Sequence, residues 1–298
     1  MEPLDYQRDA VAIITGRVRA FMAGHWRGLV IQPRWHSLMV GPSGTGKTAV
    51  AAMVAEAVGA TMLRVSAPSW MPSGAHNRST RETIAILAEH VARNDQTILV
   101  VDELDKISDT ETPWLGYVRN ELFDVMGGVW PTGLNLPEIE DAPDITIEVL
   151  TQKLRESMFV LAIGTFQSWF DDATARRTIG FGAAYNPEKD EITAEIVAQR
   201  LPRELANRFH SSIIRLPELT PADYHRIARD VETKLPERMR NMFRTEAAKR
   251  IPGAIAAKKG ARFLEETMTE VLMHLPPEPN PPNPTTIEAT PDIDLCTL

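Results

Sequence analysis

Apolar residues recur at intervals of three and four over residues 6–21, at Val11, Ile14, Val18 and Phe21, a spacing that predicts an opening helix with one buried face. A connecting loop over 22–33 follows, and then the pattern shortens. Compact apolar runs at 36–40, 61–65, 97–101 and 158–163 read as strands, short and continuous enough for a sheet buried on both sides. Residues 49–58, 79–93 and 117–126 read as helices, the last with Val118, Leu122 and Val125 on one side. The stretch 66–78 is a polar loop that nevertheless contains Trp70 and Met71, and 127–144, rich in Pro, Gly and acidic residues, reads as an extended excursion. Strands alternating with helices predict an α/β fold with a parallel sheet between two helical layers. From Thr220-Pro221 onward the pattern turns helical, over 222–234, 239–251 and 261–274. The expected organisation is an α/β unit over 1–218, a small helical lid over 219–275 and a Pro-rich disordered tail over 276–298.

The join between the strand at 36–40 and the helix at 49–58 is spelled Gly41, Pro42, Ser43, Gly44, Thr45, Gly46, Lys47, Thr48, followed by Ala49. Two glycines with four residues between them, then Lys, then Ser or Thr, form the phosphate-loop pattern. The glycines let successive N–H groups turn inward at a polyphosphate, and the helix N-terminus behind them favours negative charge. Lys47 is placed to reach the terminal phosphates, and Thr48 to offer its hydroxyl to Mg²⁺. The run at 97–101 leads directly into Asp102 and Glu103. A carboxylate at the end of a buried strand near a phosphate loop suits the metal side, which falls to Asp102, and Glu103 can polarise a water for attack on the γ-phosphate. The run at 158–163 ends in Gly164-Thr165, level with Asp102, so Thr165 is either a further contact to the γ-phosphate or the attacking water, or a turn residue.

Composition narrows the setting. The chain has 298 residues, 43% of them hydrophobic, enough for a full core, and no apolar run approaches the ~18 residues of a membrane span. The acidic start is unlike a signal peptide. The single cysteine, Cys296, excludes an internal disulfide and a Cys-cluster metal site, so a reducing cytoplasm is the expected setting. A net charge of −8 argues against a surface generally coated by nucleic acid. Residues 226–262, however, carry eleven basic against four acidic residues, a net of +7. That segregation suits nucleic-acid contact, the meeting of one subunit's basic end with the acidic body of another, or a solvated helical face.

GPSGTGKT, ILVVDELDK (98–106), IGFGA (179–183), LPRELANRF (201–209) and GARFLEETMTEVL (260–272) occur in this order, and over roughly residues 38–275 the chain resembles the AAA+ ATPases of the ClpX and HslU type. The resemblance implies a ring, usually of six copies, that hydrolyses ATP at subunit interfaces and threads a protein through its centre. It casts Arg208 as the arginine finger reaching a neighbour's γ-phosphate, with Arg203 as the competing candidate, and Arg262 as the second sensor arginine. A ClpX-like zinc domain and the glycine-aromatic-aliphatic-glycine pore loop are missing. Trp70-Met71 lies in the corresponding loop and resembles the grip of other AAA+ remodelling enzymes, with simple packing of Trp70 as the alternative. Ile179, Gly180 and Phe181 match the tripeptide with which ClpX docks onto the ClpP peptidase. The expected activity is an ATP-driven motor that unfolds, remodels or disassembles an unidentified protein partner. The alternatives are a remodeller or loader that contacts DNA or RNA through the basic helical part, and an ATP-dependent assembly switch with little turnover.

Overall fold

The computed structural model describes residues 2–74, 81–107, 113–131, 145–166, 203–209 and 212–275. The opening helix α1 (Asp5–Met22) is followed by β1 (Ser37–Val40), α2 (Lys47–Val58), β2 (Thr61–Ser66), α3 (Thr83–Arg93), β3 (Thr97–Asp102), α4 (Pro113–Met126), α5 (Ile147–Ser157), β4 (Met158–Gly164), α6 (Arg203–Phe209) and β5 (Ile213–Arg215). The five strands form one parallel sheet in the order β2-β3-β4-β1-β5. Every residue of β1, β3 and β4 is buried, which is why those strands read as unbroken apolar runs. Successive residues pack on opposite faces. Leu38, Val40, Leu99, Val101, Val160 and Ala162 join a core with α3, α4, α5 and α6, and Met39, Ile98, Val100, Phe159, Leu161 and Ile163 join another with α1 and α2. The expected α/β architecture is therefore present as three layers.

Three elements escape the apolar pattern, one of them the seven-residue α6. Helix α5 buries only Leu150 and Leu154, too sparse a stripe to stand out, and β5 is three residues long. The expected tail and most of the 127–144 excursion lie outside the described residues.

Beyond β5 come α7 (Pro221–Lys234), α8 (Glu237–Ala256) and α9 (Phe263–His274), with a core of their own that includes Tyr224, Phe243, Ile251, Phe263 and Val271. Thr220 caps α7, with Asp223 answering in a capping box and Pro221 at the first helical position. The basic excess of this part is largely neutralised where it stands. Arg226 pairs with Asp5, Arg244 with Glu232, Lys249 with Glu246, Arg250 with Glu270, Lys258 with Glu218 and Lys259 with Glu266. A row of paired side chains is a solvated helical face. Among the described residues, no helix is long and apolar enough to cross a membrane.

The amino edge of the sheet is pinned by His36, just before β1. Its Nδ1 accepts the Val160 N–H at 3.0 Å and its Nε2 lies 3.1 Å from the Met126 carbonyl oxygen, an arrangement that requires a neutral ring protonated on Nε2. Burial, opposed by the Met126 carbonyl and aided by the charges of Arg208 and Arg17, pushes the imidazole down to about 4. The folded chain therefore takes up this proton only near pH 4, whereas the unfolded chain takes it up near 6.5. The stability linked to His36 is complete above pH 6.5 and is lost as pH falls from 6.5 towards 4, by about 2–3 kcal/mol. Urea midpoints measured across that window should fall with pH in the wild type and much less in His36→Gln, whose amide offers donor and acceptor without titrating. Parallel slopes would remove His36 as the cause.

Candidate functional site

The carboxyl ends of β1, β3 and β4 share one edge of the sheet, with β4 between the other two. This order gathers the loop after β1, the acidic pair after β3 and Thr165 after β4. In the loop after β1, Gly44 and Gly46 have φ of 75° and 79°, in the left-handed region. A Cβ on Gly46 would stand 2.6 Å from Gln7 Nε2, and one on Gly44 would stand 2.5 Å from the Lys259 carbonyl oxygen. Gly46 is also the N-cap of α2, and no side chain caps that helix. Its first-turn N–H groups thus point at the same cradle from an uncapped positive helix end, a fit for phosphate oxygens.

Lys47 is buried, and its Nζ donates to the carbonyl oxygens of Gly41 at 2.7 Å and Pro42 at 2.8 Å. Burial lowers the ammonium to about 8, Asp102 and Asp105 oppose that effect, and Arg262 adds to it. The ammonium is held across the mouth of its own loop, where added negative charge would favour its protonated form.

On the metal side, Thr48 Oγ1 stands 3.5 Å from Asp102 Oδ2. Among the described residues no group of three or more His, Cys, Asp or Glu could hold a metal ion. One carboxylate and one hydroxyl facing a phosphate cradle are the donor set of Mg²⁺, which keeps most of its waters and takes remaining ligands from bound phosphates. The residues present therefore fit Mg²⁺ delivered with ATP.

Glu103 follows with φ of 58°, a left-handed conformation that costs energy in a residue with a side chain. Its N–H donates to Asp102 Oδ1 at 2.9 Å, and its carboxylate accepts from the Ser66 hydroxyl at 2.8 Å. Ser66 stands opposite Asp102 in the β2–β3 register. Thr165 donates from its N–H and its hydroxyl to Asp105, at 3.0 and 3.1 Å, which fixes its side chain beside the acidic pair. Arg64 also reaches this cluster, donating to Asp102 at 2.6 Å. Ser66 and Arg64 carry no motif signal. They are found only when register shows which side chains of β2 face the end of β3.

Residues 37–213 match the ATPase family associated with various cellular activities (AAA). The chain belongs to that family.

In this AAA ATPase the helical part meets the phosphate loop directly. The Ala261 N–H donates to the Gly44 carbonyl at 2.8 Å, and the turn that carries Gly260 and Arg262 packs backbone to backbone on Gly44. Tyr6 and Gln7 of α1 both donate to the Thr45 carbonyl oxygen, at 3.1 and 3.2 Å. Arg203 opens α6 and Arg208 lies in its last turn, both exposed. Arg208 sits over the Phe123 ring, 5.9 Å from its centroid, in a cavity of about 910 Å³ lined also by Trp26, Trp35 and His36. It is at the amino edge of the sheet, away from the loop after β1.

Of the two readings of Trp70, surface grip and simple packing, the observed burial agrees with packing. Trp70 is 1% exposed, in the core between α3 and α4, and its Nε1 donates to the buried Glu121 carboxylate at 2.9 Å. An indole that satisfies a buried carboxylate is fixed by packing and hydrogen bonding together. Met71 is half-buried, with its N–H donating to Thr83 Oγ1 and its carbonyl accepting the Thr83 N–H. Ile179, Gly180 and Phe181 lie outside the described residues. Trp70→Ala should therefore act on stability, by about 3–5 kcal/mol, and Trp70→Phe, which removes the donor to Glu121 Oε2 while Oε1 keeps the Ser73 N–H, by about 1–3 kcal/mol. Urea denaturation checks this. A Trp70→Ala protein with wild-type stability would restore a surface role.

Proposed function

We propose that this AAA ATPase is an ATP-hydrolysing ring motor of the ClpX and HslU type that remodels, unfolds or disassembles a protein partner. The observation that carries the reading is the position of Arg208. It lies at the amino edge of the sheet beside His36, whereas the phosphate loop leaves the carboxyl end of β1, about 13 Å of strand away. A guanidinium so placed serves a phosphate of another copy better than one of its own, and an active site completed in trans makes turnover depend on assembly.

In this reading Lys47 and the cradle N–H groups hold the β- and γ-phosphates of ATP, and Thr48 and Asp102 hold hydrated Mg²⁺. The metal supplies neutralisation of phosphate charge. Glu103 takes the proton of the attacking water, Thr165 orients near the γ-phosphate, and Arg262 reports on phosphate from the helical part. The bond from Ala261 to Gly44 supports coupling of phosphate occupancy to movement of α7–α9. The ion pairs along α7–α9 weigh against nucleic acid as the partner. The resemblance further implies a ClpP-like peptidase as a partner through residues 179–181 and a ring of six copies.

Glu103→Gln should bind ATP, assemble and lose at least about 100-fold in turnover. Arg208→Ala and Lys47→Ala should each be inactive alone, yet an equal mixture should recover roughly a quarter of the sites, since each copy supplies what its neighbour lacks. ATP turnover of mixed, size-verified assemblies decides it. No recovery would overturn the trans role of Arg208, and an unaffected Glu103→Gln would favour an assembly switch.

A further inference from the structure

The metal-side carboxylate already has a cation within the chain. Arg64 donates to Asp102 Oδ2 from Nη2 at 2.6 Å and from Nε at 3.0 Å. This is the same oxygen that faces the Thr48 hydroxyl, while Oδ1 is engaged by the Glu103 N–H. Register explains the reach. Arg64 pairs with Val100 and Ser66 with Asp102, so Arg64 and Asp102 are diagonal neighbours on one face, a gap of about 7–8 Å that a guanidinium spans. The pair is asymmetric in exposure, 55% for the Arg64 side chain against 13% for Asp102, because β2 is the edge strand. Arg64 thus comes in from solvent and can leave by the same path, unlike the buried Lys47.

A divalent ion and a guanidinium cannot share one carboxylate oxygen without strong repulsion. We propose that Arg64 is the counter-ion of Asp102 that Mg²⁺ displaces, so that this arginine sets the metal dependence of nucleotide binding. The inference rests on the reading of Asp102 as the metal-side residue of an ATP site. Arg64 is a positioning residue that acts through Asp102. A half-exposed ion pair is weak enough for an arriving metal and triphosphate to break, and strong enough to alter the metal requirement several-fold. Two donors from one planar fork hold Oδ2 in a fixed direction, which a lysine cannot do.

Calorimetric titration of the full chain with ATP, in saturating Mg²⁺ and in EDTA, tests it. In Arg64→Ala the bare Asp102 charge faces the triphosphate, so metal-free ATP binding should weaken by about fivefold, while binding in saturating Mg²⁺, which in the wild type must also break the Arg64–Asp102 pair, should be no weaker than wild type and up to a few-fold tighter. The Mg²⁺ concentration for half-maximal tight binding should fall by the same factor. Arg64→Gln, which preserves bulk, should behave like Arg64→Ala, Arg64→Lys should lie between them and the wild type, and the effect should vanish in an Asp102→Asn background. Equal weakening in both media would mean a direct phosphate contact and overturn the proposal, as would no change in either. Wild-type protein that binds ATP in neither medium would refute the site reading itself, and the proposal with it.

Discussion

The organising constraint is charge at the end of a buried sheet. Asp102 closes a strand whose every residue is buried, and it stands at an edge where a phosphate loop and two further acidic side chains converge. A carboxylate there is costly unless something compensates it. Each charged group in the cluster is accordingly answered from within the chain: Asp102 by Arg64 and the Glu103 N–H, Glu103 by Ser66, Asp105 by Thr165, and Lys47 by two loop carbonyls. A triphosphate with its metal would therefore exchange partners at this edge instead of filling unsatisfied positions. What the chain gives up would be returned by contacts with a ligand whose negative oxygens suit Lys47 and whose hard cation suits Asp102.

How much of this was legible without coordinates depended on whether local order alone decides a feature. The phosphate loop is contiguous, so Gly44, Gly46, Lys47 and Thr48 announce their geometry in eight letters. The central strands were equally plain, because burial on both faces leaves no polar position to confuse the period. Trp70 stays undecided between grip and packing for the opposite reason. A polar stretch with prolines makes an aromatic look exposed, and nothing in the nearby sequence signals that its partner is Glu121, fifty-one residues further on. Arg64 and Ser66 were hidden in the same way: alternation assigns them to one face of β2, but only the pairing of β2 with β3 puts Asp102 on that face beside them.

The basic segment shows how counting charges can mislead. An excess of +7 over residues 226–262 suggests a positive surface. Helical spacing and the fold's long-range contacts bring Asp5, Glu218, Glu266 and Glu270, all outside that window, against Arg226, Lys258, Lys259 and Arg250. Partly exposed pairs of this kind contribute little to stability, yet they remove much of the field that would attract a polyanion.

The join between the helical part and the phosphate loop follows from the same economy of space. Gly44 and Gly260 both have positive φ, and a Cβ on either would lie within 2.6 Å of the other's backbone neighbourhood, so the two turns interlock without side chains between them. Side chains absorb small displacements by changing rotamer, whereas two backbones in direct contact do not. The Ala261 N–H bonds to the carbonyl of the same Gly44 that a phosphate cradle must hold in place. The crest of that loop thus lies directly against the turn that carries Arg262 and leads into α9. The stiffness lies in the contact and not in either partner.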